Sequence, residues 1–98
     1  MRSRIVAVIE SRTLGGMLQA AQIRAARALL GWRQEDLAKA AKVGLATIAS
    51  IEQGEGMVQG NFSTITKIQQ ALERNGISFT VSQDGGIGVR LEKKRQKG

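Results

Sequence analysis

The stretch QEDLAKAAKVGLATIASIEQG, residues 34–54, decides the fold. Leu37, Ala38 and Ala41 recur at helical spacing, Lys42-Val43-Gly44 interrupts, and a second helical pattern follows in which Ile48 and Ile51 share a face. Two short helices joined by so brief a connection must cross steeply. Their backbones approach at the bend, so the inward positions there must be small, and Ala38 and Ala41 meet that demand.

Upstream, residues 18–30 are Ala-rich. Ala21, Ala25, Ala28 and Leu29, with Leu18 and Ile23 nearby, alternate with Arg24 and Arg27 and predict a helix with a basic face, ended by Gly31. Trp32 is the only Trp; directly after a helix-ending Gly it reads as packing across the first two helices rather than as a stacking platform for a base. Downstream of Gly54, EGMVQGN is a loop. A helix from Phe62 or Ser63 to Arg74 then sets Phe62, Ile65, Ile68 and Leu72 as a core stripe, with Asn61 or Ser63 capping its start and Asn75-Gly76 stopping it.

Past Gly76 the period changes to two. Ile77, Phe79 and Val81 alternate with Ser78, Thr80 and Ser82, Asp84-Gly85-Gly86 turns the chain, and Ile87, Val89 and Leu91 alternate with Gly88 and Arg90. This is a β-hairpin with one apolar face, marginal alone and therefore packed on the helices or paired with another copy. Residues 1–16 have two readings: IVAVI, residues 5–9, forms a strand that pairs with the hairpin, or the segment is a disordered extension and Met17 is itself a start.

Ninety-eight residues make one domain, with no room for a separate ligand-binding or catalytic domain. Fifteen Lys and Arg stand against 8 Asp and Glu, a balance that suits a polyanionic partner, nucleic acid or an anionic membrane surface. The tail, residues 92–98, holds four of those cations; without it the chain stays basic, 11 against 7. Such a run is most simply a solvated tail that adds counterion release. Cys and His are both absent, which removes disulfides, thiolate nucleophiles, imidazole bases and nearly every zinc site, so no metal or cofactor is expected. An enzyme is not expected either, since Glu35-Asp36 sits at a helix start where acids complement the dipole. Residues 5–9 are the longest apolar run and fall far short of the ~20 needed to span a bilayer; with no cleavage site, a reducing cytoplasm fits.

The run IRAARALLGWRQEDLAKAAKVGLATIASIEQG resembles the DNA-binding domain of the Cro/XRE family of lambda-repressor-like regulators. Ile23-Arg24 with Arg27, Gln34 opening the second helix, and Glu52-Gln53-Gly54 ending the third carry the resemblance, which covers roughly residues 18–75. It implies a mainly α fold: a lambda-repressor-like helix-turn-helix bundle of about four helices, here over residues 17–76, with a C-terminal β-hairpin over 77–91. In this motif the second of the paired helices lies in the DNA major groove while the first crosses the phosphate backbone.

By the same resemblance Gln34 anchors to a phosphate, a role that helix N-terminal amides support. The DNA-facing positions of the third helix fall on Gly44, Leu45, Ala46, Thr47, Ala49, Ser50 and Gln53, while Ile48 and Ile51 point into the core. Gln59, Gly60 and Asn61 are secondary backbone contacts. Three departures matter. Arg33 stands where a Ser or Thr caps the second helix, giving up a cap worth about 1 kcal/mol and gaining a cation for phosphate. Lys42 replaces a Gly that takes a left-handed conformation in the turn, at a cost of about 1 kcal/mol. Gly44 replaces a Ser or Thr before the third helix, which costs only about a few tenths of a kcal/mol. Leu45 and Ala46 can meet thymine methyls and Thr47, Ser50 and Gln53 can hydrogen-bond bases, so affinity is expected from phosphates, and specificity from methyl contacts, a few hydrogen bonds and DNA shape.

The resemblance thus implies a sequence-specific regulator of transcription, a repressor by preference with autoregulation or dual activation open, reading a pseudo-palindromic double-stranded operator as a homodimer. Dimerisation is expected through the hairpin face of Ile77, Phe79, Val81, Ile87, Val89 and Leu91. The alternative is an antitoxin or anti-activator whose chief partner is another protein, with DNA binding used for feedback.

Overall fold

The computed structural model describes residues 8–10 and 18–92. Most of the N-terminal extension, and the basic tail beyond Glu92, lie outside the described residues. The elements run β1 (Val8–Glu10), α1 (Ala20–Leu30), α2 (Gln34–Ala41), α3 (Leu45–Gln53), α4 (Phe62–Arg74), β2 (Ile77–Ser82) and β3 (Ile87–Leu91). Four helices followed by an antiparallel hairpin is the architecture expected from the sequence.

The core gathers Leu18 and Ile23 from the start of the bundle, Leu37 and Ile48 from the crossing pair, Ile65, Ile68 and Leu72 from α4, and Phe79 from β2. Ala38 and Ala41, small as the bend requires, are both buried there. Gly31 ends α1 in the left-handed conformation, φ 69°, with Trp32 N–H donating back to Arg27 O at 2.9 Å. Trp32 is half-buried and packs against the core. At the other end of the bundle Asn61 caps α4, its Oδ1 accepting from Ser63 N–H at 2.8 Å.

The structure corrects two helix faces. Buried positions of α1 are Ala20, Gln22, Ile23 and Ala26, whereas Ala21, Ala28 and Leu29 are exposed. Alanine is a weak marker of an inward face, and the true face carries a glutamine. On α4, Phe62 does not join the stripe: it is 64% exposed, and the buried face begins at Ile65. It is the first helical residue, one turn outside the part of α4 that packs on the core.

The sheet has the order β1-β2-β3, with both pairings antiparallel. β1 pairs Ile9 with Val81; it runs over Val8–Glu10 and shares Val8 and Ile9 with the expected strand, whose residues 5–7 lie outside the described residues. The hairpin register sets Ile77 opposite Leu91, Phe79 opposite Val89 and Val81 opposite Ile87, which puts all six apolar residues on one face. That face lies on the helices, β3 against α1 and β2 against α4. Ile77 and Phe79 are therefore buried in the chain's own core, and Val81 and Val89 pack against it. This corrects the expected dimerising face: burying Phe79 within the chain stabilises by about 2–3 kcal/mol, more than an exposed face waiting for a partner offers. Of the six, only Ile87 and Leu91 stay exposed, at 38% and 37%.

Gln22 fixes the hairpin to α1. Fully buried, its Nε2 donates to Thr80 O at 3.1 Å and Gly88 O at 3.0 Å, one carbonyl on each strand, while its Oε1 accepts from Gln19 N–H at 2.9 Å. Every polar atom of the side chain thereby has a partner, as burial demands.

Candidate nucleic-acid interface

The connection Lys42-Val43-Gly44 crosses α2 over α3 and aims one face of α3 outward. Lys42 takes the left-handed conformation, φ 59° and ψ 47°, the one non-glycine with positive φ among the described residues. Its amide donates to Lys39 O and the Val43 amide to Ala38 O, closing the end of α2. Gly44 then sits extended before α3, its carbonyl accepting from the amides of Thr47 and Ile48 at 3.1 Å each.

On α3, Ile48 is buried and Ile51 half-buried, while Leu45, Ala46, Thr47, Ser50 and Gln53 are exposed and Ala49 lies between. Leu45, at 45% exposure, is the largest apolar group on this surface. Beside it runs a cleft of about 350 Å³ formed by Ala46, Thr47, Ser50 and Ile51 with Gln59, Gly60, Asn61 and Thr64. The α3–α4 loop and the outer face of α3 are thus one continuous surface. Asn61 spends its Oδ1 on the α4 cap, and its side chain is exposed beside the cleft.

Glu52 braces this surface from within, a role that residue order alone did not assign. Nearly buried, it takes a two-pronged ion pair from Arg27, Nε to Oε2 at 2.8 Å and Nη2 to Oε1 at 2.9 Å. Gln34 Nε2 donates to the same Oε1 at 3.2 Å. Arg27 Nη1 also holds Trp32 O at 2.9 Å, and Arg24 Nη1 donates to Glu52 O at 2.6 Å, covering a carbonyl that the end of α3 leaves without an intrahelical partner. One buried carboxylate thereby ties α1, the opening residue of α2 and the last turn of α3 together. The signal was in the sequence, in the Arg24, Arg27, Gln34 and Glu52 quartet that carried the resemblance, but their spacing names no partners.

Arg33 is exposed, with a long 3.9 Å pair to Glu35 across two solvated side chains. The cap it lacks is replaced in part by Asp36, whose Oδ2 accepts from Arg33 N–H at 2.8 Å. Lys42 stands apart from the α3 cleft and lines a second one, about 400 Å³, with Ala40, Ala41, Lys67, Gln70 and Arg74. Gln34, Arg33, the α3 face and Asn61 are therefore distributed over α2, α3 and the α3–α4 loop, while Lys42 extends the basic surface toward α4.

A pair of short helices joined by three residues, with one side of the second helix buried and the other exposed, is the arrangement of a helix-turn-helix domain. Over residues 23–75 the chain matches the family model described as helix-turn-helix, of the Cro/C1 type. That is more than half of the 98 residues, and the chain belongs to this family, the XRE family of DNA-binding transcriptional regulators. Neither a curated protein nor a solved structure matches it. No helix among the described residues is long and apolar enough to cross a membrane.

Proposed function

We propose that the protein is a repressor that binds a pseudo-palindromic operator as a homodimer, with the two copies of α3 in successive major grooves about 34 Å apart. The exposed α3 face, continuous with the α3–α4 loop and braced from behind by Glu52, is the observation that supports this reading. Arg33, Gln34, Lys42 and Asn61 contact phosphates and set the register. Gly44 and Ala49 allow close approach, Leu45 and Ala46 meet thymine methyls, and Thr47, Ser50 and Gln53 hydrogen-bond base edges. With no arginine on the reading face of α3, much of the selectivity comes from DNA shape and from apolar contact. Repression needs only that the bound dimer occlude a promoter.

Selection from a random duplex pool, followed by titration of the winning sequence against scrambled DNA at near-physiological salt, tests this. An inverted repeat with half-sites about 10 bp apart, preferred by ~10³ or more, is the expected result. Enrichment of no sequence, with binding that vanishes on adding salt, would refute it.

A further inference from the structure

Three cations meet at the far end of α2 without a counterion. Lys42, at the C-cap, lines the cleft of about 400 Å³ with Lys67, Gln70 and Arg74 of α4, and no acidic residue among the described residues lines it. All four side chains are exposed. Arg27, Arg33 and Arg90 each reach a carboxylate, at 2.8, 3.9 and 3.7 Å, whereas among the described residues Lys42, Lys67 and Arg74 reach none. Arg74 makes one long bond, from Nη2 to Ala40 O at 3.5 Å, which leaves most of its guanidinium fork uncommitted. The acids of the two helices are engaged elsewhere: Glu35 and Asp36 lie in the first turn of α2, at its opposite end, and Glu73 accepts from Gln69 Nε2 at 2.9 Å. Lys67, Gln70 and Arg74 recur at i, i+3 and i+7, so they stack along one side of α4, with Lys67 and Arg74 about 10 Å apart along its axis. Like charges gathered in this way repel one another, and a bound polyanion removes that cost. The cleft also joins the surface described above at two places. Lys42 belongs to the connection that leads into α3, and α4 itself begins at the α3 cleft, which Thr64 lines.

We propose that the α2–α4 cleft holds backbone phosphates of the duplex flanking the half-site that α3 faces, with Lys67 and Arg74 taking the phosphates and Gln70 donating between them. This rests on the DNA-binding reading above and extends it from the half-site that is read to the duplex beside it. Phosphates along one strand rise about 3.4 Å each, so two cations about 10 Å apart reach phosphates about three positions apart. Arg74 can present paired N–H groups to phosphate oxygens, while Lys67 acts as a point charge. Neither contact reads a base, so the flank is needed for its charge and not for its sequence. An acidic protein segment carries the same sign of charge, but the cleft starts at the turn into α3, where a duplex lying on α3 already brings the nearest anions.

Titration of the full chain against two duplexes tests this, one cut back to the half-sites and one carrying several further base pairs of arbitrary sequence at each end. Wild type is expected to bind the longer duplex about tenfold more tightly, with a logarithmic salt slope steeper by about 2 per protomer whatever the added sequence. The double variant K67Q/R74Q is expected to lose both differences while binding the short duplex as wild type does, and Lys67→Gln alone to lose about half of the added slope. Both positions are exposed, and circular dichroism checks that the variants fold. Replacing the flanking phosphates by neutral methylphosphonates should reproduce the loss in wild type and cost the double variant nothing further. A wild type indifferent to the flanks, or a double variant that keeps the full advantage of the longer duplex, would overturn the proposal; in the second case, lost binding to poly-glutamate would mark the cleft as a site for acidic protein. A wild type that selects no sequence refutes the operator reading alone, because on scrambled duplex the double variant is still expected to show a slope flatter by about 2 per protomer.

Discussion

Glu52 holds an arginine and a glutamine on one buried carboxylate, and removing it strands the Arg27 guanidinium in a largely desolvated place. Glu52→Ala is expected to cost about 3 kcal/mol, the low end for breaking a buried pair because Arg27 keeps some solvent contact. Urea denaturation measures this; a loss below about 1 kcal/mol would mean that water replaces the carboxylate. Lys42 is the opposite case, a residue whose backbone works against stability. Lys42→Gly is expected to raise stability by about 1 kcal/mol, since glycine accepts φ 59° freely, and to weaken binding to all duplexes alike, flattening the salt slope by about 1 per protomer. A more stable variant with unchanged salt dependence would separate Lys42 from the phosphates. In the β2–β3 turn the carboxyl of Asp84 is held below its ordinary value, first by the Ser82 hydroxyl and then by the Gly86 N–H. The ionised form thus favours the folded turn above the free value near ~3.9, and that contribution fades as pH falls through the lower folded value. Amide exchange in the hairpin should accelerate in that acid window, and Asp84→Ala should remove this pH dependence.

At the scale of elements, one buried polar side chain, Gln22, ties both strands of the hairpin to α1. Gln22→Leu keeps the volume but gives up both bonds to Thr80 O and Gly88 O, and is expected to cost about 2 kcal/mol and to raise amide exchange in β2 and β3 more than in α2 and α3. Uniform acceleration across all elements would mean that the hairpin and the bundle open as one unit. Gln22 also shows why the face of α1 was illegible: hydrophobic periodicity treats a buried glutamine as surface, and only the carbonyls it meets, 58 and 66 residues away, make it inward. Phe62 misleads in the reverse sense, apolar yet outside, because it lies at the first position of α4, before the buried face begins at Ile65. The crossing of α2 and α3 was legible because its constraints are local, two small residues at a bend and a break between two helical patterns. The hairpin was legible as an element, but the occupant of its apolar face was not, since strand alternation says that one face is covered and not what covers it.

Across the whole molecule the net charge of +7 makes association with duplex DNA dependent on salt. On the proposed dimeric reading, with Arg33 and Lys42 each neutralising one phosphate per protomer, affinity for the selected duplex cut back to its half-sites should fall with a logarithmic salt slope of about −4, and a much shallower slope would remove one of them from the interface. The proposed recognition residues differ from those that hold the fold: Leu45, Thr47 and Ser50 face outward with little packing to lose, so, on the proposed function, substitutions there should redirect sequence preference by about 1–3 kcal/mol per base pair with the fold intact. Arg27, Gln34 and Glu52 have no such freedom, because they hold α3 against α1 and α2. The three-residue β1 carries a different consequence, one of exposure. By occupying one side of β2 it keeps the backbone groups of that side from accepting a strand of another chain. Deleting residues 1–16 should therefore bare the longer edge of β2 and yield concentration-dependent association in sedimentation velocity beyond that of the full chain.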